Sequence, residues 1–276
     1  MHIIDGRALA QTIREDVTQR ILAHSTPPRL GVLLVGEDPA SHLYVKLKEK
    51  AAQEVGIQTD IRRLSAAVTD EELIAVIESW NADPSVNAIL VQLPLPEGHD
   101  TDRVIEAIDP VKDVDGFHPK NIQALEEGTA TIFSPVHEAV LRLIAATGFD
   151  PRHKSASVIA NSDTFAHPLE LLLRKAGFVT TTIYPDHLDT EILRTSDVIV
   201  TAVGRPGFIK ADLVRPGTIL IDVGTSKDEY GKTRGDVDAA SVEPLDGWMT
   251  PVPGGVGPMT VALLLLNVER LASQSQ

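Results

Sequence analysis

The stretch Val158–Pro168, "VIANSDTFAHP", lies where a strand runs into a helix. "SASVIA" (155–160) is an apolar run of strand length, and "HPLELLLRKAG" (167–177) reads as a helix with proline near its first turn and glycine at its end. In an α/β chain such a junction is where a glycine-rich loop cradles a nucleotide phosphate. This junction contains no glycine. Either the loop is a nucleotide loop that has changed, or it was never one.

Outward from this point the same alternation continues. "FVTTTIY", "DVIVTAVG" and "GTILIDVG" read as strands, with "LDTEILRTS" a helix among them and "SPVHEAVLRLIAATG" a helix before the first. The first half repeats the pattern. "RLGVLLVG" (29–36) is a buried strand, followed by a helix through "ASHLYVKLKEKAAQEVG". "TDIRRL" is a strand, "TDEELIAVIESWN" (69–81) a capped helix and "NAILVQL" (87–93) a strand, completing a βαβαβ unit. A proline- and glycine-rich crossing follows, with "PLPEGHD" and "DPVKDVDGFHPKN". The pattern predicts an α/β fold of two domains with parallel sheets. The expected boundaries are 1–120 for an N-terminal α/β catalytic domain and 121–256 for a Rossmann-like nucleotide domain. The apolar helix at about 257–276 is expected to pack back on the first domain, with a cleft between the two as the site.

Composition narrows the function. The 276 residues are 43% hydrophobic and 23% charged, as in an ordinary globular protein. Twenty-five basic against 39 acidic residues give a net charge of −14, which argues against nucleic acid or an anionic membrane as partner. The absence of cysteine excludes disulfides, zinc–thiolate sites and a cysteine nucleophile, and no metal site is expected. "MHIIDGRALAQTIRED" lacks the apolar core of a signal peptide, and no apolar run is read as a membrane span. The expectation is a cytoplasmic protein.

Four places carry chemistry. "SHLYVKLK" sets Tyr44 and Lys48 on one helix face, although a surface aromatic beside a surface lysine is the plainer reading. "ILVQLPLP" puts Gln92 at the C-terminal end of a buried strand, as either a satisfied core amide or a ligand group. "KDVDGFHP" packs two carboxylates into a turn, which turn chemistry alone also explains. "TPVPGGVGPMT" is a rigid loop opening onto a helix, where glycines let backbone approach a flat ligand.

In order along the chain these motifs resemble one family, the bifunctional methylenetetrahydrofolate dehydrogenase/methenyltetrahydrofolate cyclohydrolases. "IIDGRALA", "VGEDPASHLYVKLKEKAAQEVGI", "VQLPLP", "KDVDGFHPKNIQAL", "TAVGRPGFI", "IDVGT", "GDVD" and "TPVPGGVGPMT" carry the resemblance over nearly the whole length. It implies oxidation of 5,10-methylenetetrahydrofolate by a nicotinamide cofactor, then hydrolysis of the methenyl product to 10-formyltetrahydrofolate. It also implies Lys48 as catalytic centre, Gln92 as its hydrogen-bond partner, Tyr44 stacking on the folate and Asp115 gripping the pterin. Pro253, Gly254, Gly255 and Gly257 would line the folate. Ala160, Asn161, Ser162, Pro185, Asp186, Gly204, Gly224 and Thr225 would face the cofactor, NADP by family habit with NAD as the alternative. A homodimer is the family's usual assembly.

The chain departs from the family on the nucleotide side. The usual Gly-Arg-Ser, two residues, Val-Gly, one residue, Pro appears as Ala160 to Pro168, keeping Ser162 and Pro168 but losing both glycines and the arginine, now Asn161. Alanine disfavours positive φ, Asn161 offers no charge to a 2′-phosphate, and Asp163 repels a pyrophosphate. Asp186 suits a ribose 2′-hydroxyl and opposes a 2′-phosphate. Ile132-Phe133-Ser134-Pro135 replaces a Pro-Cys-Thr-Pro motif, with His137 where glycine is usual, in a segment that lies near the nicotinamide in the family. Thr225 stands where isoleucine is common. A cyclohydrolase with weakened, lost or NAD-shifted dehydrogenase activity is therefore the alternative, and a non-catalytic folate binder a more distant one.

Overall fold

The computed structural model describes residues 1–274. The chain begins β1 (His2–Ile3), α1 (Gly6–Ile21), β2 (Arg29–Val35), α2 (Pro39–Val55), β3 (Gln58–Leu64), α3 (Asp70–Ala82) and β4 (Ala88–Val91). It continues α4 (Thr101–Glu106), α5 (Pro119–Glu127), α6 (Pro135–Ala145), β5 (Ser155–Ala160), α7 (Asp163–Ala176) and β6 (Val179–Ile183). The remainder is α8 (Thr190–Thr195), β7 (Val198–Ala202), β8 (Ile219–Asp222), β9 (Ser226–Lys227), β10 (Thr233–Arg234), α9 (Ala239–Val242), β11 (Trp248–Met249) and α10 (Val256–Gln274). Contacts divide it into two compact units.

One unit holds Gln11–Pro135 and the chain from Val261 onward. Its sheet is parallel, in the order β3-β2-β4. The central strand β2 is buried along almost its whole length, while β3 at the edge is polar and partly exposed. Gly31 in β2 is required by packing, since a Cβ there would come within 2.8 Å of the Trp80 ring. Leu33, Leu73, Ile77, Ile89 and Val91 form the centre of the core. Each such side chain contributes on the order of 2 kcal/mol by leaving water. Capping fixes where the helices start. The Asp38 side chain accepts from Ser41 N at 2.7 Å ahead of Pro39, and Thr69 with Glu72 forms a capping box on α3. α10 is long and apolar enough to cross a membrane by length and composition, contrary to expectation, but most of it is buried inside the protein. Leu263 to Leu266, Val268 and Leu271 account for that burial, which marks a core helix.

The other unit joins Met1–Ala10 to Val136–Thr260. Its six strands are parallel in the order β1-β11-β8-β7-β5-β6. The boundaries differ from the expected ones. Residues 1–10 fall in this unit because His2 N and Ile4 N donate to Gly247 O and Met249 O, at 2.7 and 2.8 Å. The break lies at 135–136, after the first residue of α6, and α10 itself crosses from this unit to the other at 260–261. The helix after β5 starts at Asp163, so Pro168 lies inside it as the sixth residue and not in its first turn. The crossing after β4 contains two short helices, α4 and α5, which turn residues had concealed.

His137, in the first part of α6, is fully buried, and its ring meets Phe165 edge-on with centroids 4.9 Å apart. Neither ring nitrogen has a hydrogen-bond partner. Burial pushes its pKa down to about 4, and the nearby Phe165 backbone opposes that shift without meeting hydrogen-bond geometry. The folded-state value lies below the ordinary 6.5, so the unfolded chain takes the proton first as pH falls. Stability is therefore lost between about pH 6.5 and about 4, by up to about 3 kcal/mol. Thermal midpoints of wild type and His137→Leu should diverge across that window, with the variant holding its midpoint better at low pH. Parallel curves from pH 7 to 4 would remove His137 from the account.

Candidate active site and nucleotide-binding elements

Lys48 projects from α2 and Gln92 follows the last residue of β4. The Lys48 Nζ donates to Gln92 Oε1 at 3.0 Å. The Gln92 amide donates to Leu93 O at 2.6 Å, and Gln92 N to Leu33 O at 2.9 Å, so the side chain is held at both ends. Tyr44, one turn earlier on α2, is exposed and free to meet a flat ligand.

The segment carrying the two carboxylates runs beside β4. Asp113 forms a parallel bridge with Ile89, with Ile89 N donating to Lys112 O at 2.7 Å. Asp113 is buried and accepts four hydrogen bonds: from Asp115 N at 3.2 Å, Gly116 N at 3.0 Å, His118 N at 2.8 Å and Asn121 Nδ2 at 2.9 Å. Burial raises its pKa, and those donors oppose the rise. Gly116 sits at φ +69°, where other residues are strained. From α10, Asn267 Nδ2 donates to Val114 O at 3.0 Å and Phe133 O at 2.9 Å. Asp113 and Asn267 thus hold the backbone on both sides of Asp115. Their signals were present in sequence as a carboxylate in a turn and an asparagine within "LLLLNVE".

Asp115 is half-buried, with its carboxyl end in a crowded, desolvated place. Burial pushes its pKa up to about 6, Lys48 pulls it down and Asp113 adds to the rise. The same desolvation lowers the pKa of the Lys48 ammonium, against the pull of Asp115. A recess walled by Val91, Leu93, Ile105 and Phe117 adjoins the two carboxylates. The arrangement is an amine eased toward neutrality, an amide fixing it and a carboxylate able to face paired N–H donors.

The remaining predicted residues lie in the six-stranded unit. Ala160 ends β5 and is buried, and Ser162 is the N-cap residue of α7 but makes no side-chain cap bond. The N–H groups opening this 14-residue helix are not taken by their cap. Asn161 is exposed, and its Nδ2 donates to Val203 O at 2.8 Å. Pro185 and Asp186 form a short turn after β6. Gly204 has φ +72°, Thr225 is exposed, and a Cβ at Gly224 would collide with the Asp236 carboxylate. Asp236 accepts from Thr201 Oγ1 at 2.9 Å, Val203 N at 2.7 Å and Arg205 N at 2.8 Å. Its neighbour Asp222, pushed up to about 7 chiefly by burial, accepts from Gly224 N, Asp236 N and Val237 N. In the 250–257 loop, Gly254 has φ +123°, a Cβ on Gly255 would come within 2.6 Å of Thr250 Cβ, and one on Gly6 would collide with Gly255 O. Pro253 follows a cis peptide, and Gly257 has open space where a side chain would be. Gly6 and Gly255 are needed where backbone meets backbone, and Gly254 for its left-handed φ.

A parallel sheet with an uncapped helix after its first crossover strand defines a dinucleotide-binding class of α/β protein, joined here to a Lys–Gln–Asp site. Residues 4–115 match the catalytic domain of the tetrahydrofolate dehydrogenase/cyclohydrolase family, and residues 134–276 match that family's NAD(P)-binding domain. The bifunctional protein FolD of Methylibium petroleiphilum is 43% identical over 268 residues, 96% of this chain and 95% of that protein. The FolD protein of Acidiphilium cryptum is 44% identical over 96% of this chain and 95% of its own length. The crystal structure of the Campylobacter jejuni FolD methylenetetrahydrofolate dehydrogenase/cyclohydrolase superposes with a TM-score of 0.96 at 38% identity, covering 100% of both chains. That of the Trypanosoma brucei enzyme, complexed with NADP and an inhibitor, gives 0.94 at 31% identity, covering 99% of this chain and 97% of that one. The chain belongs to the tetrahydrofolate dehydrogenase/cyclohydrolase family.

The electrostatics of the Lys48–Asp115 pair are directly measurable. A carboxyl-carbon NMR titration should place Asp115 near pH 6, and Lys48→Met should move the midpoint upward because the ammonium holds it down. A midpoint near 4, or one that falls in the variant, would contradict this electrostatic account.

Proposed function

We propose that this chain oxidises 5,10-methylenetetrahydrofolate to the methenyl form with NADP and hydrolyses that product to 10-formyltetrahydrofolate. The observation that carries the reading is the Lys48 Nζ–Gln92 contact at 3.0 Å beside a half-buried Asp115. Family membership over nearly the whole chain supports the same reading.

The residues fit a dinucleotide. The first-turn N–H groups of α7, unclaimed by Ser162, suit a pyrophosphate, and Gly204 and Gly224 keep side chains away from the ends of β7 and β8. When bound, the nicotinamide supplies a hydride acceptor. Asp115, ionised at neutral pH, accepts from the pterin's amino and ring N–H groups and fixes the ring's orientation. Tyr44 stacks on the aromatic part of the folate. Backbone groups at Pro253, Gly254, Gly255 and Gly257 offer a flat approach on the folate side.

In the hydrolytic step water adds to the methenyl carbon and gives up a proton. The bond from that carbon to N5 then breaks, and N5 gains a proton. Lys48 is the group for this traffic. Desolvation raises its neutral fraction, a cationic substrate beside it raises it further, and Gln92 aims the Nζ. Assembly as a homodimer and a cytoplasmic location accompany this reading, and a solution mass measurement tests the first.

Lys48→Met should lower methenyl-folate hydrolysis by at least about 100-fold while leaving the thermal midpoint nearly unchanged. Hydrolysis at near wild-type rate would remove Lys48 from the centre of the mechanism.

A further inference from the structure

We infer that Arg205 is the residue that selects the cofactor, taking the 2′-phosphate of NADP in exchange for its partner Asp186. The inference rests on the proposed dinucleotide site and deepens it.

In a sheet of this class, the adenosine ribose meets the tip of the second strand and the phosphates meet the helix that follows the first. Those places are the turn after β6 and the start of α7. Asn161 stands where the family has arginine, and its neutral amide, which donates to Val203 O, brings no charge. Asp163, in the first turn of α7, receives the hydroxyl of Tyr184, which follows β6. Asp186, in the turn after β6, is largely exposed. The tip therefore carries two carboxylates, and a 2′-phosphate placed there needs a cation.

Arg205, in the loop after β7, brings one. Its Nη2 lies 3.2 Å from Asp186 Oδ1, so the guanidinium already occupies the ribose end of the site. Its root is rigid, because Arg205 N donates to the buried Asp236 at 2.8 Å and the preceding Val203 N to the same carboxylate at 2.7 Å. Its guanidinium also stands 5.9 Å from the Phe208 ring, which limits where the fork can swing. The side chains of Arg205 and Asp186 remain 51% and 78% exposed, so the ion pair is screened and easily exchanged. A phosphate of nearly two negative charges accepts the planar fork at two oxygens and displaces the single carboxylate contact. With NAD no phosphate competes, Arg205 stays on Asp186, and that carboxylate is less available to the 2′-hydroxyl. The loss of arginine at 161 is thus offset by a guanidinium from the β7 loop.

The test is equilibrium binding of 2′,5′-ADP and 5′-AMP to wild type, Arg205→Gln and Asp186→Asn, with thermal midpoints as a check on folding. Wild type should prefer 2′,5′-ADP. Arg205→Gln should weaken 2′,5′-ADP at least about tenfold while changing 5′-AMP less than about threefold, and kcat/KM for NADP should fall relative to NAD in parallel. Asp186→Asn, which frees the guanidinium, should strengthen 2′,5′-ADP. Equal effects of Arg205→Gln on both probes, no effect on either, or a wild-type preference for 5′-AMP would overturn the assignment while leaving a dinucleotide site standing. Failure of both probes to bind wild type would overturn the underlying site as well.

Discussion

The site depends on a buried carboxylate whose hydrogen-bonding capacity is used on backbone. Asp113 accepts from three turn amides, those of Asp115, Gly116 and His118, and from Asn121, and this fixes the path of 113–121. Without it the turn would hold several N–H groups out of water with nothing to receive them, at about 1–3 kcal/mol each. Asp115 leaves the same turn two residues later. Its direction follows from backbone that Asp113 and Asn267 hold from opposite sides. The division of labour answers why two carboxylates share five residues. One is structural and saturated with donors. The other is left with acceptor capacity for a ligand.

The six-stranded unit uses the same device twice over. Asp236 ties the ends of β7 and the loop beyond, and Asp222 ties Gly224 to the 236–237 backbone. Burial holds Asp222 up to about 7, and the nearby Asp236 carboxylate adds to the rise. The glycines at 224 and 235 follow from this packing, since a side chain at either would collide with a carboxylate of the pair. Their meaning is therefore first structural. Any role toward a cofactor comes from the backbone they leave bare.

Much of the fold was legible because its central strands are nearly continuous apolar runs between turn residues. "RLGVLLV" and "SASVIA" could hardly be anything but buried parallel strands. What escaped was short or disguised. β1 and β11 are two residues each and gain their meaning only by joining the sheet beside β8, so no local pattern announces them. α4 and α5 hide among prolines, aspartates and glycines whose usual sense is turn. Lys48 and Gln92 were individually ambiguous, because spacing places a side chain on a face and does not say what it meets. Their contact spans 44 residues and exists only in three dimensions. The place of residues 1–10 was illegible for the same reason, since it depends on which sheet the first strand joins.

The glycine-free junction at 158–168 is now a physical matter. Glycine is needed where φ is positive or where another backbone comes too close for a methyl. Neither condition holds here. Ala160 lies in register with Ala202 as an ordinary strand residue, and Ala166 packs inside with 1% exposure. The non-glycine residue at positive φ among those described is His153, outside this stretch. The junction thus folds without its glycines and still leaves α7 uncapped at the end a phosphate would meet. What the substitutions alter is charge. Removing arginine from 161 takes a cation from beside that helix terminus, and Arg205 places one beside Asp186. A helix terminus draws an anion by N–H groups and dipole, and it does so whatever the side chains are. Discrimination between cofactors that differ by one phosphate rests instead on the side chains at the ribose end, where Asp163, Asp186 and Arg205 set the charge.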